Sequence, residues 1–124
     1  MSETKPGRVL ILAAEPMVGR ILEHKLRREG HEVVWERDGV AGREHLAHRY
    51  DVALIDVDGE GSDWMSAAVA SRLGVQWLAV VDGRDRQGAL AAMGRGAAGV
   101  VAKPFKPTAV AAQVWTLLGL IRTP

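Results

Sequence analysis

The 124-residue chain has room for one domain with one substantial core. Hydrophobic residues make up 48% and charged residues 25%, the balance of a folded globular protein, and a formal net charge of +1 gives no reason to expect nucleic acid or an anionic membrane as a partner. The absence of cysteine excludes disulfides, thiolate metal sites and cysteine nucleophiles.

Residues 1–7 are polar and lead into an apolar run too short and wrongly flanked for a signal peptide or a membrane span, so a cytoplasmic location is expected. That run, 9–14, reads as a first buried strand and ends Leu12-Ala13-Ala14. Pro16 suits a helix start, and Val18, Ile21, Leu22 and Leu26 recur at helical spacing until Gly30. Residues 31–36 mix polar positions into Val33-Val34-Trp35, as an edge strand does. A weaker helix is expected over 39–50. The apolar run 52–55 then ends on Asp56. Ser62 or Asp63 can cap a helix from Trp64 to Leu73, with Gly74 as its stop. A strand over 75–81 and an alanine-rich helix over 87–95 follow. The strand 100–102 is closed by Lys103, and Pro107 opens a last helix carrying Val110, Val114, Leu117 and Leu118.

Apolar strands alternating with helices indicate a parallel sheet covered on both faces. In such doubly wound folds ligands meet the carboxyl ends of the strands. Those ends carry Ala13, Ala14, Glu15, Asp56, Val81, Asp82 and Lys103.

Three features in order, the strand-end Asp56, the turn Gly96-Ala97-Ala98-Gly99, and Lys103-Pro104-Phe105, give the chain its resemblance to the receiver domain of two-component response regulators. The resemblance covers essentially the whole length. It implies a flavodoxin-like (βα)5 fold with strand order 2-1-3-4-5, one domain over 1–124 with its core over about 7–121. It assigns phosphoryl acceptance to Asp56 and phosphoryl-oxygen binding to Lys103. The Mg²⁺-holding acidic pair of that family falls on Ala13 and Ala14, the Ser/Thr sensor on Val81 and the aromatic switch on Val100, so four positions lack the expected chemistry. Mg²⁺ depends on closely placed oxygen ligands, so its binding is expected to be weak or absent, and no other cofactor is indicated. Asp56 and Lys103 are instead expected to pair with each other in a partly dry cleft.

The expected function is a degenerate receiver-like module of a two-component or phosphorelay pathway that acts by protein interaction and is not an enzyme. Its expected partners are a histidine kinase or a downstream effector, or a second copy of the chain through the face of the fourth helix, fifth strand and fifth helix. Nucleic acid and membrane are not expected partners. Trp115 lies off the apolar stripe of the last helix and is a candidate for an outward partner contact. Two rival readings are a conventional phospho-receiver using Asp56, with Glu15 or Asp58 as replacement ligands, and a small flavodoxin-like nucleotide- or flavin-binding protein. The second lacks a Gly- or Ser-rich phosphate loop at Glu15-Pro16-Met17-Val18. The loop 56–63 imitates the opening of a calcium loop, but its twelfth position is Ala67 in place of a bidentate Glu.

Overall fold

A computed structural model describes residues 4–58 and 62–122. Among them the chain alternates strand and helix: β1 (Arg8–Leu12), α1 (Pro16–Arg28), β2 (Glu32–Glu36), α2 (Gly39–Leu46), β3 (Val52–Asp56), α3 (Trp64–Leu73), β4 (Gln76–Asp82), α4 (Arg86–Gly94), β5 (Gly99–Lys103) and α5 (Pro107–Ile121). The strands form one parallel sheet in the order β2-β1-β3-β4-β5, so β2 is an edge, as its mixed composition indicates. The flavodoxin-like order expected from the resemblance is the order found. Part of the calcium-like loop, residues 59–61, lies outside the described residues.

The period-two alternation of the strands divides the core into two layers. Val9, Ile11, Val52, Leu54, Leu78, Val80 and Val101 pack with Leu22 and Leu26 of α1 and Val114 and Leu118 of α5. The intervening residues Leu10, Leu12, Ala53, Ile55, Trp77, Ala79 and Val81 pack on the other side with Leu46, Ala67, Ala70 and Ala92 from α2, α3 and α4. Each inner strand is therefore apolar at every position between its ends, which explains the continuous apolar runs. Trp77 is fully buried, and its indole N–H donates to Ser71 Oγ at 2.8 Å, so the one polar atom of that large ring is satisfied.

Local signals set most boundaries. Asp63, rather than Ser62, caps α3: its carboxylate accepts from the Ser66 backbone N–H at 3.0 Å. Gly74 ends that helix in the left-handed region at φ 74°, a conformation that penalises any side chain. Two expected elements move. The first strand stops at Leu12, leaving Ala13 and Ala14 just past its end, and α2 stops at Leu46, short of residue 50. The early stop of α2 places Tyr50 in the core under the Arg8 guanidinium, 4.4 Å from the ring centroid, while Arg8 also donates to the Arg49 carbonyl at 2.7 Å.

Gly19 marks a close approach on α1. A Cβ built there lies 1.9 Å from Cε2 of Trp35, whose indole N–H donates to the Ala13 carbonyl at 3.0 Å. The ring thus lies directly on the helix backbone beside the end of β1. Gly19→Ala is expected to lower unfolding stability by about 1–3 kcal/mol through overpacking, despite the better helix propensity of alanine. Urea denaturation measures this, and unchanged stability would mean that the indole is free to leave the helix.

Candidate functional site

The site is built by strand parity and parallel register. Ala13, Asp56 and Lys103 follow Ile11, Leu54 and Val101 by two residues each, so all three belong to the sheet face that packs on α1 and α5. Asp56 closes β3 and Lys103 closes β5, with β4 between them; the four-carbon stem of the lysine spans that strand.

The Lys103 ammonium is the centre of the site. It lies 3.0 Å from Asp56 Oδ2, 3.5 Å from Asp58 Oδ2 and 3.6 Å from Glu15 Oε2. The Asp56 side chain is only 6% exposed and that of Lys103 20%, so the contact of these two is a partly buried, hydrogen-bonded ion pair. The other Asp56 oxygen, Oδ1, accepts from the Asp58 backbone N–H at 3.0 Å. Both oxygens of Asp56 are therefore engaged within the protein. Burial alone pulls the lysine pKa down, but the hydrogen bond and charge of Asp56, then the charges of Asp58 and Glu15, outweigh it and raise the pKa above the ordinary lysine value.

Each residue singled out in the sequence has a definite place. Ala13 is 4% exposed and its methyl group belongs to the core layer under α1 and α5. Ala14 is exposed, and its carbonyl accepts from Arg37 Nε at 3.1 Å. Val81 is buried in the opposite layer, and Val100 packs against that layer from β5. Neither valine has a hydroxyl or ring to offer the site. Asp82 ends β4 but turns to Arg84, whose guanidinium and backbone N–H groups hold its carboxyl down to about 2.

Trp115 lies along a core edge and is not a freely outward side chain. Its ring is half-buried against the core, the N–H donates to Glu29 Oε1 at 3.0 Å, and one face rests on His31 with 4.5 Å between ring centroids. The reason is that α5 leans on α1 along a wider seam than its aliphatic stripe alone covers. The sequence reading also missed that Glu15 and Asp58 join Asp56 around one ammonium. Their strand-end positions were the available signal, but loop paths decide which side chains converge.

Beside the ion cluster lies an open recess of about 440 Å³ between the ends of β1 and β2 and the starts of α2 and α3. Ala13, Ala14, Arg37, Arg43, Asp63 and Trp64 line it. Arg43 pairs with Asp63 at 3.4 Å. Trp64 packs toward the core and carries the Arg95 guanidinium 4.6 Å from its ring centroid.

The donor set suits Mg²⁺ poorly. The ion needs several oxygens that are free to turn toward it, whereas both Asp56 oxygens already accept hydrogen bonds and a lysine cation stands among the three carboxylates. Among the described residues no cluster of three or more His, Cys, Asp or Glu has the geometry to hold a metal ion.

Lys103→Met leaves Asp56 buried with one hydrogen bond and no cation. The expected loss is about 3 kcal/mol, the low end for a broken buried pair because the lysine keeps some contact with water. Adding Asp56→Asn should recover much of that loss in a double-mutant cycle, and strictly additive losses would refute the coupling. A raised lysine pKa also stabilises the fold in full below its unfolded value of about 10.4 and loses this as pH rises through the folded value. Alkaline unfolding should therefore be steeper in the unmodified protein than in Lys103→Met.

No protein-family model matches the sequence. The chain is 33% identical over 72 residues to the uncharacterized transcriptional regulatory protein YbdJ of Bacillus subtilis (strain 168), a match that spans 57% of this chain and 32% of that relative. Among solved structures it superposes on the receiver domain of the Francisella response regulator 1452 with a TM-score of 0.84 at 16% identity, covering 94% of this chain and 99% of that one. It matches a protein described as a response regulator in Chloroflexus aurantiacus J-10-fl with a TM-score of 0.82 at 26% identity, covering 93% and 99%. A CheY-like response regulator receiver domain protein from Methanospirillum hungatei JF-1 gives 0.83 at 18% identity, covering 94% and 96%. The chain has the fold of response-regulator receiver domains over nearly its whole length, with Asp56 and Lys103 paired at the carboxyl ends of its strands.

Proposed function

We propose that this receiver-like domain signals by protein contact and does not accept phosphate on Asp56 in a Mg²⁺-dependent reaction. The observation that carries this reading is the Lys103 ammonium held among Asp56, Asp58 and Glu15, beside two alanines where the resemblance calls for carboxylates. Phosphoryl transfer depends on positioning and on neutralising charge on the equatorial oxygens. Here one cation would have to serve the phosphoryl group while leaving its present partners. The valines at positions 81 and 100 also provide no group to sense the transfer and no ring to relay it.

The interaction surface we assign is the face formed by α4, β5 and α5. Leu90 is 72% exposed and Met93 49% exposed, one turn apart on α4, and Ala102 of β5 is exposed beside that helix. These residues join Trp115 as candidates for partner contact. The partners are proteins of a two-component-like pathway in the cytoplasm, a kinase, an effector or a second copy of the chain; the name of the Bacillus relative fits an effector that acts in transcription. No described helix is long and apolar enough to cross a membrane.

Two measurements test this. Intact-mass analysis after incubation with a small acyl phosphate and Mg²⁺ should show the unmodified mass, whereas a stoichiometric gain abolished by Asp56→Asn would establish a working phospho-receiver. Leu90→Asp should weaken self-association or binding to a co-encoded kinase or effector by tenfold or more, of the order expected for losing one buried leucine contact, about 1.5 kcal/mol or above. Unchanged association by analytical ultracentrifugation and by titration calorimetry would reject the α4 surface.

A further inference from the structure

At the opposite end of the sheet from the ion cluster, His31 occupies a junction of four chain segments. It precedes β2, its backbone N–H donates to the Leu26 carbonyl of α1, and its ring lies under Trp115 of α5. The Gly7 backbone N–H, just before β1, donates to His31 Nδ1 at 3.0 Å. The residue is 5% exposed, and its buried Nε2 has no hydrogen-bond partner among the described residues.

That geometry fixes the protonation state. An Nδ1 that accepts a hydrogen bond carries no proton, so the neutral ring has its single N–H on Nε2. A second proton can only go to Nδ1. There it would face the Gly7 N–H, donor against donor, and would bury a cation with no acceptor at either nitrogen among the described residues.

We propose that His31 is an acid-released latch that fastens residues 5–7 and the C-terminal end of α5 to the sheet. Neutral His31 holds Gly7 directly and supports the Trp115 ring; protonation removes the first contact and weakens the second. The same end of α5 is tied to the N-terminal segment by Arg122, which donates to the carbonyls of Lys5 and Pro6. Release therefore frees both partners of one junction and uncovers Trp115, Leu117 and Leu118, which are half-buried or buried in the closed form.

The charged groups around the ring set the balance. Glu29 at the end of α1 and Asp51 before β3 favour the imidazolium, while Arg122 at the end of α5 opposes it. Glu29 is already engaged by the Trp115 N–H and by Lys25 at 3.6 Å, and Asp51 by the Arg8 backbone N–H at 2.8 Å and Arg122 at 3.7 Å. Arg8 and Glu32, on the neighbouring strands, are paired with each other at 2.7 Å. Burial dominates the set and lowers the His31 pKa. A histidine with a lowered folded pKa stabilises the closed form in full above its unfolded value of about 6.5, and that stability is lost as pH falls through the folded value. The latch is thus shut at neutral pH and opens on acidification, independently of any chemistry at Asp56.

The test is residue-resolved amide hydrogen exchange on the full chain, between about pH 7.5 and about pH 5, a range that brackets an unperturbed histidine. After correction for intrinsic rates, protection at Gly7 and over the last two turns of α5 should fall by up to about tenfold per pH unit, while Leu54 and Leu78 in the sheet stay protected. In His31→Asn the side-chain oxygen replaces Nδ1 as acceptor and cannot titrate, so the acid-dependent loss should vanish. Equal losses in both proteins, or losses shared by Leu54 and Leu78, would overturn the proposal. The imidazole resonances of the unmodified protein give a second reading that needs no variant. A His31 midpoint below the ordinary histidine value, moving together with the Gly7 amide, supports the latch; an ordinary midpoint or an unmoved Gly7 amide refutes it.

Discussion

The arrangement at the strand ends depends on one cation. Lys103 reaches across β4 to Asp56, and its ammonium also lies near Asp58 and Glu15, so a single positive charge serves the ends of β3 and β5 and the loops after β1 and β3. A carboxylate as buried as Asp56 is costly without such a partner. Two fixed groups, the Lys103 ammonium and the Asp58 backbone N–H, now satisfy it. The cleft that the fold provides for a ligand is in this way occupied by the protein's own charges.

The residues around the ion cluster are mostly packing groups, with the open recess lying to one side. Carboxylates at positions 13 and 14 would compete with Asp56 for the lysine; the methyl group of Ala13 instead completes the apolar layer beneath α1 and α5. Trp35 lies across the end of β1, bonded to the Ala13 carbonyl and seated on Gly19, so that side of the site is walled by a ring. Val81 and Val100 are packing residues of the second layer. At positions 13, 81 and 100 the side chains are packing groups, while Ala14 is exposed and engages Arg37 through its carbonyl.

The elements and their alternation were legible in the sequence because they rest on short-range rules, whereas the strand order was implied by the resemblance. Continuous apolar runs marked the inner strands, Pro16 and Pro107 marked helix starts, and Gly74 marked a stop. The pairing of Asp56 with Lys103 was also readable, since two strand-end charges of opposite sign with no metal ligands beside them have few other partners. What could not be read depended on side-chain paths between distant segments. The Trp115 indole is held by Glu29, 86 positions away, and by His31, and helical periodicity on α5 contains no trace of either contact. The end of α2 was misplaced because Tyr50 is drawn into the core and covered by Arg8, a tertiary demand that outweighs local helix preference. Glu15 and Asp58 joined the cluster through loop geometry that spacing alone does not specify.

The central claim is that Lys103 has taken the position of an external cation. Its most direct test is a Mg²⁺ titration followed by tryptophan emission, because Trp35 is bonded to the Ala13 carbonyl and Trp64 lines the recess shared by Ala13 and Ala14. The account predicts no saturable change at millimolar Mg²⁺. Saturable quenching in that range, lost in Asp56→Asn, would show that the site still accepts the metal and would contradict it.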